Sequence, residues 1–151
     1  MKIVVKLKAL LFVMTLISCE SHETYALRSG KVVDFDDLQG RWVLINYWAI
    51  WCAPCRKEIP DLNEFARNNS NNVAVYGVNF DGVQGNALDE QVKSLNIKFD
   101  TFLLDPRFRW DLEKSDILPE TLIINENGEL RHRLIGPQTI ADLSELIPGT
   151  F

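Results

Sequence analysis

The chain has 151 residues, enough for one domain with a core of its own, and ordinary shares of apolar and charged side chains. Its 21 acidic residues outnumber its 16 basic ones, for a formal net charge of −5 with no basic stripe. This balance argues against nucleic acid as a partner, and three cysteines are too few for a disulfide-stapled scaffold.

Residues 1–18 stand apart. They carry Lys2, Lys6 and Lys8, no acid, and an apolar run from Ala9 to Ile17. A basic start followed by a short apolar run reads as a secretion signal, too short to be a comfortable membrane span. The segment closes with Leu16-Ile17-Ser18-Cys19, which resembles the lipobox of bacterial lipoproteins. That resemblance implies cleavage before Cys19 and diacylation of its thiol. An ordinary cleaved signal or an uncleaved anchor are the alternatives. Cleavage would take three lysines and move the formal charge from −5 to −8. Glu20 to Ser29 is polar and unpatterned and reads as a tether, in which His22 is solvated. The expected division is a signal over 1–18, a tether over 19–29 and one domain over 30–151.

Lys31 to Leu38 reads as a short strand and turn, ended by Gly40. Trp42 to Trp48 is a nearly continuous apolar run, the pattern of a strand covered on both faces. Cys55, Glu58, Ile59, Leu62 and Phe65 then recur at helical spacing, with Pro54 suited to the first turn and Pro60 expected to kink the helix. After a turn-rich loop, Val73 to Asn79 is a second buried strand, completing a βαβ unit. Ala87, Leu88, Gln91, Val92 and Leu95 suggest a short helix, and Phe99 to Leu104 a brief apolar segment. A helical turn near Phe108 to Lys114 should turn Trp110 and Leu112 inward. Pro119 opens a strand through Ile124, Asn127-Gly128 makes a hairpin turn, Glu129 to Ile135 returns, and a helix over Thr139 to Ile147 ends the chain. The fold class is therefore α/β, with a mixed sheet.

Trp51-Cys52-Ala53-Pro54-Cys55 lies between the first buried strand and the helix. Two cysteines in this spacing, beside a strand–helix unit, form the pattern of a redox site. At a helix N-terminus the unpaired N–H groups favour a thiolate on Cys52, the species that attacks a disulfide. Cys55, one turn on, is placed to close a bond with Cys52. Zinc would need a second cysteine pair or paired histidines, and His22 and His132 are single and distant. Attachment of c-type haem would need His at position 56, which is Arg. A purely structural disulfide is the remaining alternative. Glu58 sits one turn beyond Cys55 at the edge of the apolar face, where partial burial would raise its pKa and let it exchange protons with Cys55. It could equally be a surface residue. Trp48 reads as core, and Trp51 as a shield that also contacts substrate. His132, between Arg131 and Arg133, reads as exposed.

The run Asn46 to Glu58, with Gly77-Val78-Asn79 and Leu118-Pro119-Glu120-Thr121, resembles the TlpA/ResA reductases and their relative in cytochrome c biogenesis, CcmG (also called DsbE). The likeness spans about residues 30–147, with Pro119-Glu120-Thr121 nearest CcmG and the Cys-Ala-Pro-Cys centre nearest TlpA/ResA. It implies a thioredoxin fold: a mixed central sheet flanked by helices, with an N-terminal extension and a helical insert in the middle. It also gives Glu58 a catalytic role, since Asn46 stands where typical thioredoxins carry a buried Asp and this group supplies a Glu after the second cysteine instead. It implies that Pro119 is cis and that the Leu118 backbone pairs with the substrate chain.

The resulting expectation is an exported, membrane-anchored thiol–disulfide oxidoreductase of the periplasm or cell-envelope face. It would reduce protein disulfides, apocytochrome c foremost, and draw electrons from a membrane thiol donor, with the Cys52–Cys55 pair as its whole redox cofactor and no metal. Two alternatives stand beside it: a DsbA-like oxidant or isomerase, and a lipoprotein that binds clients with incidental redox activity. A peroxidase of the peroxiredoxin type is disfavoured, because Pro-x-x-x-Thr-x-x-Cys is missing.

Overall fold

The computed structural model describes residues 23–151. The chain enters the fold through two short antiparallel strands, β1 (Thr24–Ala26) and β2 (Val32–Asp34), which form a ribbon of their own. This corrects the tether expected over 19–29, whose second half belongs to the folded domain. Tyr25 and Leu27 are buried, Leu27 bridges to Phe102, and the Leu103 N–H donates to the Ala26 carbonyl. Two apolar residues spaced by two, in an otherwise polar stretch, are enough to seat a strand once a surface exists to receive them.

β3 (Trp42–Trp48) is the middle strand of the main sheet, and all of it but Trp42 is buried. β4 (Val73–Asn79) runs parallel to it, joined by helix α1 (Ala53–Asn68). A second crossover, through α2 (Gly85–Ser94), adds β5 (Asp100–Phe102) parallel to β4. β6 (Glu120–Ile124) is antiparallel to β3 and turns through Asn125–Gly128 into β7 (Leu130–Ile135). Gly128 closes that turn at φ +80°, a backbone region that favours glycine. The sheet order is β5-β4-β3-β6-β7. α3 (Ile140–Leu146) follows, started by reciprocal hydrogen bonds between Thr139 and Asp142. α1 continues through Pro60 without a break. The ring lies on the exposed side, while Ile59 and Leu62 hold the other side in the core.

Strand alternation divides the interior in two. Leu44, Trp48, Val75 and Ile123 face a core shared with α1, α2 and α3. Val43, Ile45, Tyr47, Val78 and Leu122 face the β1–β2 ribbon, where Tyr25, Phe35 and Phe102 meet ring against ring. Asn46 shares the parity of Leu44 and Trp48, so it points towards α1. Glu120 takes the opposite face. Gly77 is glycine because a Cβ there would lie 2.8 Å from Trp48 Nε1.

Candidate active site

β3 ends at Trp48, and the next four residues carry the chain off the sheet into α1. Cys52 is the N-cap of that helix, and its Sγ accepts the Cys55 N–H at 3.1 Å. Pro54 occupies the first turn, as its missing N–H allows. Cys52 and Cys55 are joined as a disulfide, with Cα atoms 5.3 Å apart. Both are buried. Trp51 is 59% exposed beside them, and its indole donates to Asp81 at 3.0 Å and packs edge-on against Phe80. Arg56 donates to the Ile50 carbonyl at 3.0 Å.

Glu58 lies on the same buried face of α1 as Cys55 and is only 3% exposed. Its Oε1 accepts from Asn46 Nδ2 at 2.7 Å and its Oε2 from the Gln138 N–H at 3.0 Å. Burial pushes its pKa up to about 7, against the pull of those two hydrogen bonds. The surface reading of Glu58 is thereby removed. Asn46 also donates to Thr121 Oγ1 at 3.0 Å. The Leu118–Pro119 peptide is cis, and the pairing of Tyr47 with Glu120 sets it at the end of β3 from which Cys52 departs. Trp48 is wholly buried. His132 is half-buried on β7 rather than exposed, since it pairs with Ile123 and shares the helix-side face of Leu134. Cys19, like the whole proposed signal, lies outside the described residues.

Residues 21–133 match the model of the AhpC/TSA family. The chain belongs to that family. Thiol-disulfide oxidoreductase ResA of Bacillus subtilis (strain 168) is 33% identical over 126 residues, which cover 80% of this chain and 70% of the relative. The thiol:disulfide interchange protein DsbE homolog of Paracoccus denitrificans (strain Pd 1222) is 38% identical over 111 residues, 72% of this chain and 59% of that protein. Among solved structures, a thioredoxin-family thiol:disulfide interchange protein of Chlorobium tepidum TLS superposes with a TM-score of 0.70 at 21% identity, covering 83% of this chain and 90% of that one. At that identity the superposition speaks for the fold, which is the thioredoxin fold. Within the AhpC/TSA family, the chain is a thiol–disulfide oxidoreductase of the ResA and DsbE type.

Several groups around the site have no signature in the sequence. Gln138 holds Glu58 through its backbone, which no side-chain pattern reveals. Thr121 stands in the Pro119-Glu120-Thr121 step that carries the resemblance, but nothing in the sequence marks its bond to Asn46. On the other sheet face, Arg107 is buried at the centre of a group of ion pairs. It donates to Asp105 at 2.7 Å, to Glu120 at 3.1 Å and to the Glu113 carbonyl, and lies over the Tyr47 ring. Glu120 is fully buried and also accepts from Arg133. In the sequence this arginine sits in Arg107-Phe108-Arg109-Trp110, where nothing marks it as buried.

Proposed function

We propose that this protein is an exported, lipid-anchored reductant of protein disulfides in which Cys52 attacks and Cys55 resolves. The observation that carries this reading is the Cys52–Cys55 disulfide at the start of α1, with Glu58 buried on the same helix face. The Cys52 thiolate attacks a client disulfide, forming a mixed disulfide and releasing one client thiolate. The Cys55 thiolate then attacks Cys52 Sγ, the second client sulfur leaves with the bonding pair, and the Cys52–Cys55 bond is regained. Two electrons pass from the protein to the client. Glu58 accepts the proton of the Cys55 thiol before that second attack.

The start of α1 keeps Cys52 available as the attacking thiolate, with its Sγ facing the Cys55 N–H. The reducing direction is the one implied by the likeness to the TlpA/ResA reductases. Leu118 and cis Pro119 would receive the client backbone, and Trp51 would cover the exchanging sulfurs. A cleft of about 320 Å³ adjoins Phe80, walled by Val83, Leu104, Phe108 and Lys114, with room for client residues beyond the disulfide. Apocytochrome c is the client we favour, in line with the likeness to the DsbE type. The electrons would come from a membrane thiol donor, and an acyl chain on Cys19 would keep the protein beside it.

The deciding experiment is a titration of the Cys52–Cys55 pair against a defined thiol buffer. A potential near or below about −270 mV, the thioredoxin value, is expected. One near about −120 mV, in the range of DsbA, would make the protein an oxidant of exported chains and overturn the reading.

A further inference from the structure

Three groups from outside α1 surround the Glu58 carboxyl, and none of them ionises. Asn46 comes from β3, Thr121 reaches it through Asn46 from β6, and the Gln138 N–H comes from the loop before α3. No charge on any of these elements contributes to the shift of Glu58, and the other titratable groups of the site are the cysteines at the head of its own helix. Asn46 Nδ2 serves two acceptors, Glu58 Oε1 at 2.7 Å and Thr121 Oγ1 at 3.0 Å. Its Oδ1 is buried and has no hydrogen-bond partner among the described residues. A buried acceptor left without a donor is uncommon and calls for a reason.

With nothing among the described residues bonded to Oδ1, that side of the amide is not pinned, and its orientation answers to the two protonation states of Glu58. As a carboxylate it accepts from both neighbours. As a carboxylic acid it must donate one hydrogen bond, and the Gln138 N–H facing Oε2 can only donate. The proton therefore belongs on Oε1, where it would meet Asn46 Nδ2, donor against donor. A primary amide carries a donor and an acceptor on one planar group, and a half-turn exchanges them.

We infer that the Asn46 amide turns over as Glu58 takes up a proton, offering Nδ2 to the carboxylate and Oδ1 to the acid. The same turn presents Oδ1 to Thr121, whose hydroxyl then donates where it had accepted. Asn46 is thus a positioning residue. It acts on the cysteines only through Glu58, and the inference rests on the reading of Glu58 as the proton acceptor for Cys55. In that step the thiol proton moves to Glu58 Oε1, Cys55 is left as thiolate, and the amide turn gives the new O–H an acceptor. An Asp at position 46 could receive that O–H but has no N–H for the carboxylate state.

The test uses the full chain in its oxidised form, labelled with ¹⁵N and ¹³C, followed by NMR from pH 5 to 9. The Glu58 carboxyl carbon is assigned by its loss in Glu58→Gln. Above the Glu58 midpoint, coupling across the hydrogen bond from Asn46 Nδ2 to the Glu58 carboxyl carbon is expected. Below the midpoint it should vanish. Coupling that persists below the midpoint overturns the inference and leaves the role of Glu58 standing. A Glu58 carbon that does not titrate in this range overturns both together. In Asn46→Leu, checked for native circular dichroism, loss of the stronger bond to the charged form should raise the Glu58 midpoint by about one pH unit. An unchanged midpoint counts against Asn46.

Discussion

At the scale of single residues, the group that most distinguishes the site is Glu58, whose pKa is raised from 4.5 to about 7 by burial. Between those values the folded chain keeps a proton that the unfolded chain has released. Stability therefore falls as pH rises from about 4.5 to about 7 and levels off above, and it is greatest on the acid side. The full shift corresponds to about 3 kcal/mol. Glu58→Gln is expected to remove this slope and to be more stable than the wild type at pH 8, as read by urea unfolding at pH 5 and pH 8. A slope that survives the substitution would place the proton on another group. The cysteines give a second, independent prediction. Cys55→Ser should accumulate mixed disulfides with clients on non-reducing gels, because Cys52 attacks and nothing resolves. Cys52→Ser should accumulate none, and both variants should lose turnover to the uncatalysed rate. Trapping through Cys55 alone would reverse the two roles.

At the scale of elements, the β1–β2 ribbon covers the sheet face opposite the helices, so its loss would expose Phe35 and Phe102. Leu27→Ala, at a position 3% exposed, should cost about 2–4 kcal/mol in denaturant unfolding. A cost under ~0.5 kcal/mol would return residues 24–29 to the status of a tether. The buried ion cluster gives a larger effect. Arg107→Met leaves Glu120 fully buried with Arg133 as its remaining charge partner and should cost about 3–5 kcal/mol. These two elements are also where the sequence was least legible. β3 and β4 could be read to the residue because each is covered on both faces and writes a continuous apolar run. α1 was legible because Cys55, Glu58, Ile59 and Leu62 repeat at helical spacing. β1 writes only Tyr25 and Leu27 among polar neighbours, and it becomes a strand by pairing with β2 rather than by its own pattern. Arg107 and Glu120 are 13 residues apart, and only the sheet face reached by Glu120 brings them together. Composition shows such charges as solvated, and their burial is a property of the assembled fold.

At the scale of the whole molecule, the potential of the cysteine pair and the stability of the fold are two views of one free-energy cycle. In the unfolded chain the pair has the potential of any cysteines in this spacing. Whatever the fold adds to that potential must reappear as a stability difference between the oxidised and reduced proteins. The relation is about 1.4 kcal/mol for each 30 mV, so the gap between a thioredoxin-like and a DsbA-like potential amounts to about 7 kcal/mol. DsbA is a strong oxidant because its reduced form is the stabilised one. Here Glu58 waits in the same buried face as Cys55, as an acid or as a negative charge, and once charged it opposes a thiolate on the reduced pair. The oxidised protein is therefore expected to unfold at higher urea concentration than the reduced protein at pH 7, and the difference should widen as pH rises and Glu58 ionises. Parallel urea curves of the two redox forms at pH 6 and pH 8 measure both effects. A reduced form that outlasts the oxidised one would mean that the fold stabilises the thiolate, and the protein would then pass disulfides to its clients instead of removing them.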